Sequence, residues 1–236
     1  KLPTLSGTTA GFGTEVASAP DASTTVNRET LQPRKLSAHM DISKMLLQQT
    51  NGSVENIIRT DIQNAIASVL ESAVLGNEDG TGAIPKGVFQ AGGNNAAGVA
   101  TRANVIELIK KLEENNADGG RTAFCLTPGA KSVLQALPAD VVTTSGASTP
   151  LFSMDNKIMG IDARVTNNVA TAAGVGEGLV VGMWDDCVIG QFGNALDVVV
   201  DPFTKAITGE VRLVVLSYWD VIFRRANSFQ YRFIEV

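Results

Sequence analysis

The feature that most constrains this chain lies between residues 53 and 76. Apolar side chains fall at Val54, Ile57, Ile58, Ile62, Ala65, Ile66, Val69, Leu70, Ala73 and Val74, one stripe at a period near 3.6. Ser53 is a good N-cap with Glu55 in the first turn, and Gly76 stands where a left-handed C-terminal cap belongs. The pattern predicts a helix about 30 Å long at 1.5 Å per residue, with one face that has to be buried along its length.

Ahead of the helix the period changes to two. Leu36, Ala38, Met40 and Ile42 alternate with Lys35, Ser37, His39 and Asp41, as in a half-buried strand. With an extended stretch at 14–19 and a turn near 20–21, the expected arrangement is a long two-stranded hairpin. An isolated hairpin is marginal in water, so its apolar stripe needs a neighbour. Residues 1–34 are rich in Ser, Thr, Gly, Ala and Pro and form no core of their own.

A second amphipathic helix is expected after Thr101, carrying Val105, Ile106, Leu108, Ile109 and Leu112 and ending in the polar run 114–120. A third begins at Thr127-Pro128, a cap followed by a first-position proline, and stops before Pro138. Strand-like segments occupy 122–126, 158–165, 178–184, 195–200, 210–223 and 228–236. Helices and strands mix without a regular βαβ rhythm, so the fold class is α+β.

With 236 residues and 44% apolar content the chain folds as one large domain or two small ones. A net charge of −5 gives no basic field overall, so sequence-reading of nucleic acid is not expected. Cys125 and Cys187 sit in apolar stretches and read as reduced, buried small hydrophobes. Apolar runs stay far below the roughly 18 residues that span a bilayer, so no membrane segment is expected. The chain opens on Lys1 with no charged and apolar leader, as a processed product or the ordered part of something longer would.

The stretch LGNEDGTGAIPKGV at 75–88 invites comparison with ligand-binding loops. A P-loop needs a Lys-Ser/Thr pair after its last glycine, but Lys86 precedes Gly87 and Val88 follows it. A dinucleotide fingerprint from Gly80 and Gly82 meets Pro85 at its third glycine position and follows a helix, not a strand. A calcium loop starting at Asn77, with Asp79, Thr81 and Gly82 in place, reaches Val88 where a bidentate acid is required. The segment therefore reads as a structural corner leaving the long helix, with Gly76, Gly80, Gly82, Pro85 and Gly87 as its determinants and positive φ as the reason for its glycines.

His39 is the single histidine, which rules out a two-histidine metal site, and it lacks the context of a nucleophile's base. A solvated or interface histidine is the better reading. Asp185 and Asp186 are adjacent and would point to opposite faces of a strand, so they mark a turn after GMW. Arg224 and Arg225 are candidates for a subunit or anion contact, with edge-strand charge as the plainer alternative. No catalytic residue, metal site or cofactor is expected; a pocket with convergent polar groups would be needed for an enzyme, and the sequence neither shows nor excludes one.

The order of segments carries a resemblance. LQPRKLSAHMDISKMLLQQT, the long helix, LGNEDGTGAIPKGV, GRTAFCLTPGAKSVLQAL, GLVVGMWDDCVIGQFGNALDVVVDP and VIFRRANSF together resemble the major capsid proteins of tailed bacteriophages, the Hong Kong 97-type family, over nearly all of 14–236. The resemblance implies an arm remnant at 1–13, an extended loop at 14–50, a peripheral domain with the long spine helix at 51–126, an axial domain at about 127–195, and return strands of the peripheral domain at 196–236. It also implies a virion shell protein, assembled in the bacterial host cytoplasm as hexamers and pentamers. The shell encloses double-stranded DNA without recognising sequence, with scaffold, portal and protease as partners. An encapsulin-like cargo shell shares the architecture. The loop offers Arg28 where some relatives use a cross-linking lysine, so covalent chain mail is not expected. The tail carries Ala226 where relatives often have proline. The stripe Leu36, Ala38, Met40 and Ile42 is expected to lie on a neighbouring subunit.

Overall fold

The computed structural model describes residues 2–5, 26–49, 53–117, 119–138 and 150–235. The chain divides into two compact units, Lys1–Gln32 and Pro33–Val236. In the first, strands β1 (Leu2–Leu5) and β2 (Val26–Glu29) pair antiparallel, with Leu5 opposite Val26. Arg28 lies on β2 opposite Pro3.

The second unit opens with β3 (Arg34–Ser43), α1 (Lys44–Gln49) and α2 (Ser53–Val74), followed by α3 (Val88–Ala91), β4 (Gly93–Asn94) and β5 (Gly98–Val99). Next come α4 (Arg102–Glu114), β6 (Thr122–Leu126), α5 (Pro128–Ala136), β7 (Lys157–Ile158), β8 (Ile161–Val165) and β9 (Glu177–Met183). The chain finishes with β10 (Cys187–Asp201), β11 (Glu210–Phe223) and β12 (Phe229–Glu235).

Two sheets organise this unit. The first has three antiparallel strands in the order β10-β11-β3. The long helix α2 lies on it, and Ile58, Ile62 and Ile66 form a buried cluster with Ile42 and Val215, flanked by Leu36, Met40, Leu196 and Leu213. The stripe expected to lie on a neighbouring subunit has partners within its own chain. The stripe does alternate with period two, but Leu36, Met40 and Ile42 pack within their own subunit, and the strand pairs with β11, Leu36 facing Ser217 and Ile42 facing Val211. A ten-residue strand exposes a row of backbone groups, and β11 satisfies that row on one side. Residues 14–21, the other half of the expected hairpin, lie outside the described residues. The apolar stripe of α2 is wider than the face it buries: Ile57 and Val69 remain exposed.

The second sheet has seven strands, in the order β4-β12-β9-β6-β8-β7 with β5 also on β12. It is buried on both sides. On one, Leu179 and Val181 of β9 and Ile234 of β12 join Phe124, Leu126, Val105, Leu108, Leu112 and Leu134 in a core roofed by α4 and α5. On the other, Val180 meets Val88, Phe89, Phe229, Tyr231, Phe233 and Leu75. Because alternate residues of β9 face two cores, its sequence GLVV reads as a continuous apolar run.

Local signals held where they were strong. Thr101 caps α4 by accepting from the Asn104 amide at 3.2 Å, and Thr127 caps α5 from Ala130 at 3.2 Å with Pro128 in the first turn. The segment 158–165 is not one strand: β7 and β8 form a tight hairpin whose central residues, Met159 and Gly160, both have positive φ. β10 runs unbroken through residue 196. β11 belongs with β3 under α2, whereas β12 runs between β9 and β4 in the seven-stranded sheet, and α4 packs on that sheet too.

Candidate functional site

The glycine-rich stretch links the two cores. Leu75, at the end of α2, and Val88 with Phe89, at the start of α3, are all buried in the second cluster, so the twelve residues from 76 to 87 must turn the chain within a short span. The Gly87 amide donates to the Glu78 carbonyl at 2.9 Å and the Phe89 amide to the Gly76 carbonyl at 3.2 Å, which closes the loop at its base. That closure explains Gly87: a Cβ there would sit 2.0 Å from the Gly76 carbonyl oxygen. Gly80 alone in the corner has positive φ, 77°. Gly76 is therefore not the left-handed cap expected of it; its need is steric, since a Cβ would meet the Ser72 carbonyl oxygen at 2.7 Å. Gly82 has open space around it and a φ any residue adopts, and Pro85 is buried. Asp79, the residue most suggestive of a cation ligand, accepts from the Thr81 amide at 2.9 Å and its hydroxyl at 2.8 Å, and these bonds hold its carboxyl below the usual range.

The residue that fastens this corner was not singled out by the sequence. Arg34, first on β3, donates to the carbonyls of Gly80 at 2.5 Å, Ile84 at 3.0 Å and Gly82, while its Nε reaches Asp220 Oδ1 at 3.3 Å. The planar guanidinium has enough donors to satisfy three carbonyls and a carboxylate at once, which an ammonium does not. Arg34 thereby ties the corner to the three-stranded sheet. Its signal in the sequence was weak, because its partners lie 46 to 186 positions away.

Arg224 and Arg225 do meet an anion, and it belongs to their own chain. Asp186, buried in the 3-10 turn Trp184–Asp186, pairs with Arg225 Nε at 2.7 Å and Arg224 Nη2 at 3.3 Å, and accepts from the Ser228 hydroxyl at 2.6 Å. This fixes the connection between β11 and β12 onto the turn after β9. Asp185, as expected of a turn, goes elsewhere, to the Arg121 amide at 3.1 Å.

On the three-stranded sheet, Arg212 grips Asp41 through both guanidinium arms at 2.7 and 2.8 Å, with Lys205 3.8 Å away. The Arg212 hydrogen bond keeps the Asp41 carboxyl below its ordinary value. His39 sits on the exposed side of the same strand. Burial pushes the Cys125 and Cys187 thiols up to about 12, which leaves both poor nucleophiles at neutral pH. Among the described residues no group of three His, Cys, Asp or Glu is placed to hold a metal ion, and no helix is long and apolar enough to cross a membrane.

What the chain does present is apolar surface. The β10–β11 hairpin ends in a tip at 202–209 where Phe203 and Ile207 are 84% and 102% exposed. Met45 and Leu46 of α1 are exposed beside it, α1 being joined to the tip by the Lys44 amide on the Gly209 carbonyl at 3.0 Å. Isolated exposed aliphatics are ordinary, but a cluster at a protruding end is the mark of a contact surface.

A model of the phage capsid family matches residues 2–232. No curated protein sequence matches. Among solved structures, the chain superposes on the capsid of a native GTA particle computed with C5 symmetry with a TM-score of 0.71 at 15% identity, covering 100% of this chain and 85% of that one. A Microbacterium phage Oxtober96 structure gives a TM-score of 0.72 at 15% identity, with 99% and 84% covered. A Mycobacterium phage Bobi structure gives 0.71 at 16%, with 100% and 85% covered. At these identities the likeness establishes the fold.

Proposed function

This chain belongs to the phage capsid family and is a structural capsid protein, and from that premise we propose that its copies assemble through hexamers and pentamers into an icosahedral shell around double-stranded DNA. The observation that carries the reading is the family match over residues 2–232, joined by a fold whose neighbours include a capsid computed with fivefold symmetry. The negative net charge and the absence of a basic recognition helix among the described residues fit packaging without sequence reading. The shell forms in the bacterial host cytoplasm, with scaffold, portal and protease as its partners. Catalysis has no part in this role. The contacts between copies are heterologous and ring-closing, as shells require.

Negative-stain microscopy of the expressed protein tests this directly. Closed shells or capsomer rings are the expected result, and monomer at every protein and salt concentration overturns it. Nuclease-protected double-stranded DNA in shells recovered from infected or induced cells separates a virus shell from an encapsulin-like compartment, whose protected content would be protein.

A further inference from the structure

The same sheet that carries the exposed tip also carries an unfilled groove. Between α2 and the edge strand β10 lies a space of about 260 Å³, walled mainly by apolar side chains, among them Ile62, Leu196, Val198 and Val200, with Arg59 and Gln63 of α2 as its polar lining. Val198 and Val200 line it and are left partly exposed, because the α2 cluster covers β10 at Leu196 and not at these two residues. The tip begins two residues later, yet the exposure of Phe203 and Ile207 shows that it turns away from this groove. The chain therefore holds an apolar knob and an apolar hole at different places, neither satisfied by the other within one copy.

We infer that the tip of one copy, through Phe203 and Ile207, seats in the α2–β10 groove of a second copy. The proposal rests on the assembly reading above and names the surface that drives it. Size supports the match: an apolar cavity of about 150 Å³ takes a benzene ring, so 260 Å³ has room for the phenyl ring and a branched aliphatic side chain. Area supports it as well. A phenylalanine alone buries about 150–250 Å², a fifth to a third of the roughly 800 Å² that each partner gives to a stable interface. The occupant is a second copy because knob and hole lie on one chain. A contact between two different patches is head-to-tail, so it propagates from copy to copy instead of stopping at a dimer, and closes into a ring where the rotation between copies allows.

The test uses two versions of the full chain in which Cys125 and Cys187 are replaced by alanine and one cysteine is introduced, Phe203→Cys on the tip or Gln63→Cys on the groove wall. They are mixed, assembled and oxidised. A disulfide-linked heterodimer of the two versions is expected, absent when either is assembled alone and absent from the unsubstituted chain. Homodimers of Phe203→Cys, which would mean that tips meet tips, overturn the inference. Well-formed particles with no cross-link overturn it too. In parallel, Phe203→Ser with Ile207→Ser should melt within about 1 °C of the unsubstituted chain while particle yield falls by about tenfold or more; unchanged yield refutes the proposal. If the unsubstituted chain forms no particles at all, the assembly reading fails first, a result distinct from intact particles with the wrong cross-link.

Discussion

Replacing Arg34 by methionine keeps most of the side-chain stem and removes the guanidinium that joins the glycine corner to the sheet. Four acceptors lose this donor: the carbonyls of Gly80, Gly82 and Ile84, and Asp220 Oδ1. A hydrogen bond with a charged partner contributes about 1.5–3 kcal/mol when its loss strands the other group. Here Gly82 and Ile84 are exposed, so their carbonyls turn to water at small cost. Asp220 is different, with only 7% of its side chain accessible against 19% for Arg34. Asp220 keeps a further interaction, so losing Arg34 from it costs about 2 kcal/mol at most, and the three carbonyls together about 1 more, well under a simple sum of four bonds. At 2–4 °C per kcal/mol for a chain of this size, Arg34→Met should melt roughly 6–12 °C lower. Arg34→Lys should recover less than half of that, since one ammonium reaches one or two of the acceptors. Hydrogen exchange locates the damage: the Gly87 and Phe89 amides, which close the corner onto Glu78 and Gly76, should exchange roughly ten- to thirtyfold faster, while those of β6 and β9 change little. A methionine variant that melts as the parent does, with the Gly87 amide equally protected, would refute the view that Arg34 holds the corner.

The two glycines of the corner should respond in opposite ways. Gly87→Ala places a methyl against a backbone oxygen and should cost about 2–3 kcal/mol, whereas Gly82→Ala meets open space and should melt within about 2 °C of the parent; equal behaviour of the two would sink the steric account. Asp186→Ala strands the buried Ser228 hydroxyl and frees Arg224 and Arg225, which are 42% and 49% exposed and can turn to water, so a loss of about 2–3 kcal/mol is expected in denaturant unfolding, and none if the cluster is incidental. Leu36→Ser with Met40→Ser should destabilise the monomer itself, by about 2–4 kcal/mol for two half-buried side chains; an unchanged monomer that no longer assembles would assign this stripe to a subunit interface. The Asp41 carboxyl is held below 3.8 by Arg212, so its contribution is complete above that value and lost as the pH falls through the depressed one; the melting curves of Asp41→Asn and the parent should converge toward the acid end and separate toward neutrality, and a constant gap across pH 2–6 would contradict the pairing.

The sequence by itself determined the elements whose causes are local. The period of 53–74, the caps at Thr101 and Thr127, the proline at 128 and the alternation of 35–42 each report an interaction within a few residues, and the segments 122–126 and 210–223 coincide with β6 and β11. The order of those elements also carried the family. Tertiary structure decided what each face touches. An alternating strand states that one side is apolar, not whether a neighbour or its own helix covers it, and β3 proved to lie under α2 within the subunit. A glycine states that no side chain fits, not why: Gly80 is a matter of φ, while Gly76 and Gly87 answer to carbonyl oxygens that only the closed loop brings near. Arg34, Asp186 and the two arginines behind β11 are joined across 38 to 186 positions, and no periodicity carries information over that distance, because their pairing follows from how two sheets and a corner pack against one another.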